Sequence, residues 1–406
     1  MRIVVLAQIV ALAACTRSAS GPVQGVTALA GPIIAEAGAT IISQRADGTI
    51  IDTETADATG HADVQIEPGA YVTAVFPALI EPQPTDISLV TVPITADDSE
   101  LVIHGPPHAS VPLVVAALTV SAPQLPGAAS YRVDLGCNAQ TAASLPGVFN
   151  VLAQCEGTDI NIDVLVRGFD GSDNLLGYGA AREPIGMDQA GDPIADFSLA
   201  SWATTGTMVP VTQTGTTATV ALTLISDTLS FPTPDVAGGQ ALVWNGLVVD
   251  SSIVGATMGD QAASQYAPGT PSAIAVGTSD FMGEISAPTL ALEATLEASW
   301  PAVTIAGPDA LDLHASWSGT MANLTWDAVV TPDTTQIAFP QVDPTTAQVI
   351  SLPDDPTMID GELTAIDSSD LASFSDLQAA GIFANAQIVP APATGEIRTS
   401  NAVFGQ

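Results

Sequence analysis

Lysine is missing from all 406 residues; the seven basic side chains are arginines, set against 43 Asp and Glu. That absence excludes a P-loop lysine, a Schiff-base lysine and the Ser-x-x-Lys nucleophile of penicillin-binding enzymes. Charged residues make up 12% of the chain, about half the usual globular share, yet the formal net charge is −36 at pH 7. A charge of that sign repels phosphate backbones, so nucleic acid is excluded as a partner. Aromatics are 5% and cysteines number three, so the cores must be built from Val, Ile, Leu and Ala. Thirty prolines and 34 glycines without a fixed period exclude collagen and a long helical bundle. No apolar run reaches the ~18 residues of a spanning helix. The longest beyond the N-terminus, Val111–Val120, contains Pro112 and reads as a buried strand.

What is present begins with an address. Met1-Arg2 is a short basic start, and the apolar run Ile3–Leu12 follows, interrupted only by Gln8. At 1.5 Å per residue that run crosses about half of a ~30 Å hydrocarbon core, as a signal h-region does and a membrane span does not. It ends in Leu12-Ala13-Ala14-Cys15, which resembles the lipobox of bacterial lipoproteins. The resemblance implies cleavage before Cys15, lipidation of its thiol and acylation of the new N-terminus. Thr16 in place of Asp then implies the outer membrane, by enterobacterial sorting rules. The alternative is an ordinary secretory signal with a chance cysteine. Residues 1–14 are thus read as signal peptide and 15–25 as a lipidated tether.

The rest reads as strands. Val/Ile/Thr/Leu runs recur at Ala39–Ser43, Ala70–Phe76, Ser88–Ile94, Ile160–Val166, Thr217–Ile225, Gln240–Val249 and Ala302–Ile305. Such runs, bounded by Gly, Pro, Asp and Asn, predict β-sandwiches or barrels. The one helical pattern is Ser369–Ala380, with Leu371, Phe374, Leu377 and Ala380 at helical intervals. The expected class is all-β, with tandem immunoglobulin- or transthyretin-like sandwiches.

Within residues 26–107, the turn Ala46-Asp47-Gly48, then Asp57-Ala58-Thr59-Gly60, then Glu67-Pro68-Gly69 resemble the carboxypeptidase regulatory-like domain, a transthyretin-like sandwich. Ala62 stands where that family places a core aromatic, so a generic immunoglobulin-like module remains the alternative. The resemblance implies a spacer or binding module. Residues 108–205 weakly resemble a fibronectin type III domain through Pro126–Val133, without its upstream Trp. With Cys15 lipidated, Cys137 and Cys155 are left as an even pair in an oxidising compartment, and a disulfide is expected. Two free thiols or half a metal site are the alternatives. Residues 206–406 are β-rich, in one or two domains, with Ala256–Ser272 read as loop-like and the tail after Val389 as loosely packed.

Chemistry is sparse. No Gly-x-Ser-x-Gly elbow occurs. Prolines between His104 and His108 forbid a helical metal pair, and the stretch reads as an interdomain loop. In Leu311–Trp317 the odd positions form an apolar face; Asp312, His314 and Ser316 fall opposite, on a face read as solvated. Asp170–Asn174, Asp354-Asp355 and Asp360-Gly361-Glu362, with Asp367 and Asp370, read as acidic turns. None fits the EF-hand loop, although Ca²⁺ stays open. No catalytic residue, cofactor or metal is expected. The role expected is a lipid-anchored display, adhesion or binding module contacting glycan or a surface protein and touching membrane through its lipid alone. The alternatives are a hydrolase with paired carboxylates in the C-terminal half and a cation-binding adhesin.

Mass analysis of the mature N-terminus should find a diacylated Cys15 followed by Thr16, and Cys15→Ser should move the protein from membrane to soluble fractions. A soluble wild type starting elsewhere overturns the anchor.

Overall fold

Alternation of Val, Ile and Leu with Ser, Thr and Asp lets a strand bury one face while the other takes polar neighbours. The computed structural model of the chain is made of such strands, thirty-one among the described residues, with one α-helix. It describes residues 22–30, 34–77, 87–95, 100–106, 114–152, 161–187, 193–226, 229–292, 295–305, 307–318, 323–341, 352, 358–371, 373–380, 382–383 and 395–405. The protein is all-β and layered as tandem sandwiches.

A twelve-stranded sheet is the backbone of the assembly. Its order is Leu229–Pro232, Thr219–Ser226, Ser251–Met258, Gln261–Pro268, Gly395–Phe404, Asp360–Ser368, Ala310–Ser318, Asn323–Val330, Ile87–Pro93, Tyr71–Pro77, Thr40–Gln44 and Ile50–Thr55. Sequence-distant segments meet in its middle. Ile87–Pro93 runs parallel to Asn323–Val330, with Val90 opposite Asp327, so the sheet crosses the boundaries read near residues 107 and 205.

Both faces of this sheet are covered at that end. On one face Ile41, Val72, Ala74, Val90, Val92 and Val329 pack against Val26, Ala28 and Ile103 of the five-stranded sheet. On the other, Ile42, Leu89, Leu313, Trp317, Trp326 and Leu363 pack against the three-stranded sheet Thr289–Leu292, Leu296–Ser299, Gln336–Ala338. A polar seam threads this second core. Trp326 Nε1 donates to Thr91 Oγ1 at 2.9 Å, Thr91 and Thr73 share a 2.8 Å hydroxyl bond, Thr73 donates to Gln44 Oε1, and Gln44 Nε2 donates to the Ala338 carbonyl. Every link is buried and partnered, which makes the seam a register lock rather than a defect. Gly48 extends the same contact: its φ is +80° and a Cβ there would lie 2.4 Å from the Phe339 carbonyl oxygen. Only glycine fits both constraints.

The second segment forms its own sandwich around Leu118, Val133, Phe149, Val164 and Phe197. Its back face is tied to the third segment by charge. Arg182 makes bonds of 3.1 and 2.8 Å to Asp163 and another to Ser226, whose hydroxyl donates to Asp163 at 2.6 Å. Arg167 pairs with Asp134 at 2.7 Å and lies 5.7 Å from the Trp244 ring.

Several sequence readings change. Ala256–Ser272 is largely a hairpin inside the large sheet, not a loop. Within the tail after Val389, Gly395–Phe404 is a strand paired on both sides. The helix spans Phe374–Ala380 and begins later than the pattern, after a turn in which the Leu371 amide donates to the Ser368 carbonyl at the end of the strand Asp360–Ser368. Ala302–Ile305 is not a strand, and Gln240–Val249 holds one only to Val243.

Thr91→Val removes the acceptor of a buried indole N–H and should destabilise by about 1–3 kcal/mol in urea unfolding, with Thr91→Ser close to wild type. A loss below about 0.5 kcal/mol for the valine variant would reject the seam as a structural lock.

Candidate functional site

The strand Ala310–Ser318 alternates as expected, yet its polar face is not solvated at both ends. Asp312 is 1% exposed and sits on the face that carries Ala310 and Val329 into a core. Two residues on, His314 lies between Asp327 on one neighbouring strand and Glu362 on the other, all in one cross-strand row. His314 Nδ1 is 2.7 Å from Asp327 Oδ1, and Asp327 is fully buried with Oδ2 lacking a hydrogen-bond partner among the described residues. The bond to Asp327 raises the His314 pKa above its ordinary value against the opposing effect of burial, and the charges of Asp327, Asp312 and Glu362 push the same way. The shift favours the protonated imidazole, with Nδ1 engaged by Asp327 and Nε2 left for solvent or a ligand.

Next to this row lies an open groove of about 560 Å³, lined by His314, Ser316, Asp360, Gly361, Glu362, Val403 and Phe404. Asp360 and Glu362 belong to the strand Asp360–Ser368, not to a turn, and alternation puts both on the His314 face. Asn401 Nδ2 donates to Glu362 Oε2 at 3.3 Å. Gly361 is required by close packing: a Cβ there would lie 2.1 Å from the His314 carbonyl oxygen and 2.6 Å from the Phe404 ring. Chemically the groove offers the His314 imidazole, two carboxylates and the Val403 side chain on a rigid sheet, while the Phe404 ring packs beside Gly361 on the other face.

Other candidate residues lie apart. Cys15, Cys155 and His108 fall outside the described residues. Cys137 is disulfide-bonded, and both other cysteines lie outside the described residues. His104 is in the strand Leu101–Gly105 and 6% exposed, so it is a core residue and not part of an interdomain loop. His61 sits 3.4 Å from Asp63 and 3.7 Å from Glu100 on an exposed edge. Asp367 is ion-paired to Arg398, again within strands. Asp170 does form a turn, accepting the side-chain amide of Asn174 and the backbone amides of Asn174 and Ser172, which holds its carboxyl below the usual range. Trp300, Trp317 and Trp326 are buried in the core on the opposite face and offer no ring to the groove. Among the described residues no three His, Cys, Asp or Glu side chains converge to hold a metal ion. Sequence reading missed Asp327 and Glu362 as the cross-strand neighbours of His314. An Asp on the opposite face to Leu324, Trp326 and Ala328 was the available signal for the first.

No protein-family profile matches the chain, and no curated protein matches it. Among solved structures it is similar to the Bacillus anthracis TIE protein, with 9% identity and a TM-score of 0.16, over 63% of this chain and 49% of that one. It is also similar to the pilus adhesin SpaC of Lactobacillus rhamnosus GG, with 10% identity and a TM-score of 0.16, over 76% of this chain and 43% of that one. The chain thus spans half or less of the length of either structure.

His314→Gln keeps a donor for Asp327 but removes the charge. Because the folded His314 pKa lies above the unfolded value near 6.5, its contribution is complete below about pH 6.5 and is lost as pH rises through the folded pKa. Urea unfolding should show wild type more stable than His314→Gln by about 1–3 kcal/mol at pH ~5.5, with the gap closing in alkaline buffer. A gap independent of pH contradicts the charged pair.

Proposed function

We propose that the chain is a lipid-anchored binding module of the bacterial cell envelope, with a structural or adhesive role and no catalytic one. One observation carries this reading: the groove is built from strand residues in the middle of a sheet clamped on both faces, and it is open to solvent. A catalytic cleft excludes water and converges several tuned groups on one reacting atom. An open sheet face with donors, acceptors and an aliphatic contact at Val403 instead suits non-covalent contact with an extended partner. The lipid at Cys15 would hold this face close to the membrane while the acidic body is repelled by anionic headgroups.

A hydrolase is the second reading, favoured by Asp360 and Glu362 lying two apart on one strand face. Strand geometry spaces such residues by about 7 Å, within the ~6.5–9.5 Å used by inverting glycosidases. The absence of a tryptophan ring beside the groove weighs against a sugar platform there.

The mature protein and an Asp360→Asn/Glu362→Gln double variant should be applied to arrays of envelope glycans and surface-protein peptides, and each bound species tested for cleavage. Binding that falls about tenfold in the variant without product supports the module. Product formation that the variant abolishes replaces it with the enzyme.

A further inference from the structure

We propose that the Asn245-Gly246 peptide is a site of spontaneous backbone modification. The asparagine side chain loses ammonia through a succinimide, and water reopens the ring to isoaspartate and aspartate. The chain holds eight asparagines, and seven of them precede Ala, Val, Ile or Leu, whose side chains crowd the amide nitrogen that must attack. Asn245 alone precedes glycine. The strand Gly239–Val243 ends just before this dipeptide, which therefore falls in a turn and not in a ladder, with both residues exposed to water.

Packing demands the glycine. Gly246 has φ +105°, and a Cβ there would lie 2.3 Å from the Ala180 carbonyl oxygen, so no other residue fits. The second sandwich meets the third segment at this point. The Asn245 amide donates to the Tyr178 hydroxyl at 3.2 Å, and the Tyr178 ring meets the Trp244 ring edge-on at 4.8 Å between centroids. The fold thus requires, after Asn245, the one residue that leaves its backbone nitrogen unshielded. The Gly246 N–H makes no hydrogen bond among the described residues, so none has to break before base removes the proton. The electrophile is prepared as well: Thr207 Oγ1 donates to Asn245 Oδ1 at 2.9 Å. That oxygen takes the negative charge when the nitrogen adds to Cγ, and the hydroxyl already in place stabilises it.

In the first step the Gly246 nitrogen gives its proton to solvent hydroxide and attacks Asn245 Cγ. The Cγ–Nδ2 bond breaks, and Nδ2 takes a proton from water and leaves as ammonia. Water then adds to the imide: cleavage at the residue 245 backbone carbonyl gives isoaspartate, and cleavage at Cγ gives aspartate. Water is consumed, ammonia is released, and nothing is oxidised or reduced. Either product sets a carboxylate beside Thr207 in a chain already at −36. Isoaspartate also inserts a methylene into the main chain before Gly246, which moves that residue out of its slot beneath Ala180. The modification therefore loosens the seam between the second sandwich and the third segment as the protein ages, whatever the groove binds.

The test is incubation of the full chain in mildly alkaline buffer, folded and separately unfolded in urea. Peptide mapping reads the exchange of ammonia for water at each asparagine, and enzymatic methylation reads isoaspartate. The proposal expects the folded protein to convert at Asn245 at least about tenfold faster than at Asn138, Asn150 or Asn174. The rate should rise about tenfold from pH ~7 to pH ~8, as proton removal by hydroxide requires. Thr207→Val should slow conversion about threefold, whereas Thr207→Ser keeps the donor and the rate. Equal starting midpoints in urea would show that these variants are folded. On ageing, the wild-type midpoint should fall with the isoaspartate fraction, while Asn245→Gln, whose longer side chain closes no such ring, should hold its own. Asn245 that stays intact in the folded chain yet converts in urea overturns the proposal, because the turn then holds the nitrogen away from Cγ. Conversion no faster at Asn245 than at the other asparagines also overturns it, as does aspartate formed without isoaspartate, the mark of direct amide hydrolysis. An unchanged rate in Thr207→Val overturns the role given to that hydroxyl, and a midpoint that holds at full conversion overturns the loosened seam.

Discussion

The parallel ladder between Ile87–Pro93 and Asn323–Val330 is the constraint on which the rest hangs. It brings together chain segments whose contacting side chains, Thr91 and Trp326, are 235 residues apart. Closing so long a span costs only about 2.4 kcal/mol more than closing one of ~15 residues, because loop entropy grows with the logarithm of length. Burying Leu89, Val90 and Trp326 offsets that easily, since each large apolar side chain contributes about 1.5–3 kcal/mol. The register of this ladder then places everything else. It seats Trp326 against Thr91, lines up Val90 with Asp327, and through Asp327 sets the orientation of His314 at the groove.

Charge follows a similar economy of position. Four arginines form ion pairs with Glu67, Asp134, Asp163 and Asp367, and two of these pairs lie where the second sandwich meets the third. Arginine suits this role better than lysine, because its planar fork satisfies a carboxylate with two hydrogen bonds and is less strongly hydrated. Buried pairs of this kind add less to stability than to uniqueness: a mispaired interface would leave Asp163, 2% exposed, without its cation. Arg45 pairs with Glu67 on the surface while Arg167 and Arg182 are engaged between the sandwiches, and a net charge of −36 is self-repelling except where salt screens it within about 10 Å.

Local structure was largely legible from the residues, and long-range structure was not. The turn at Asp47-Gly48 and the strands near Thr40–Gln44, Tyr71–Pro77 and Ile87–Pro93 follow from alternation and turn chemistry that act over a few residues. The face of Leu311–Trp317 was also readable, but its surroundings were not. Alternation says which residues share a side of a strand, and is silent on whether a second sheet covers that side. Asp312 and His104 were misread for that reason, as a solvated acid and a loop histidine, when covering layers bury both. Gln261–Pro268 and Gly395–Phe404 were misread because short polar and small residues look loop-like, yet central strands flanked on both sides need little side-chain area. Of the groove, His314 was visible as a singular residue, whereas its partners come from strands far away in sequence.

Placing the site on the sheet has a mechanical consequence. In a loop, the distance between a histidine and its carboxylate can change with every local opening, and the charge state changes with it. Here Asp327, His314 and Glu362 are consecutive positions of one hydrogen-bonded row, so moving one relative to another would require slipping a strand. A slip by a single residue would turn Trp326 out of its core and Asp327 into it, at the cost of a buried indole and a buried charge together. The imidazole is therefore coupled to the stability of the whole sheet, and its proton, rather than its position, is the variable left free to respond to what enters the groove.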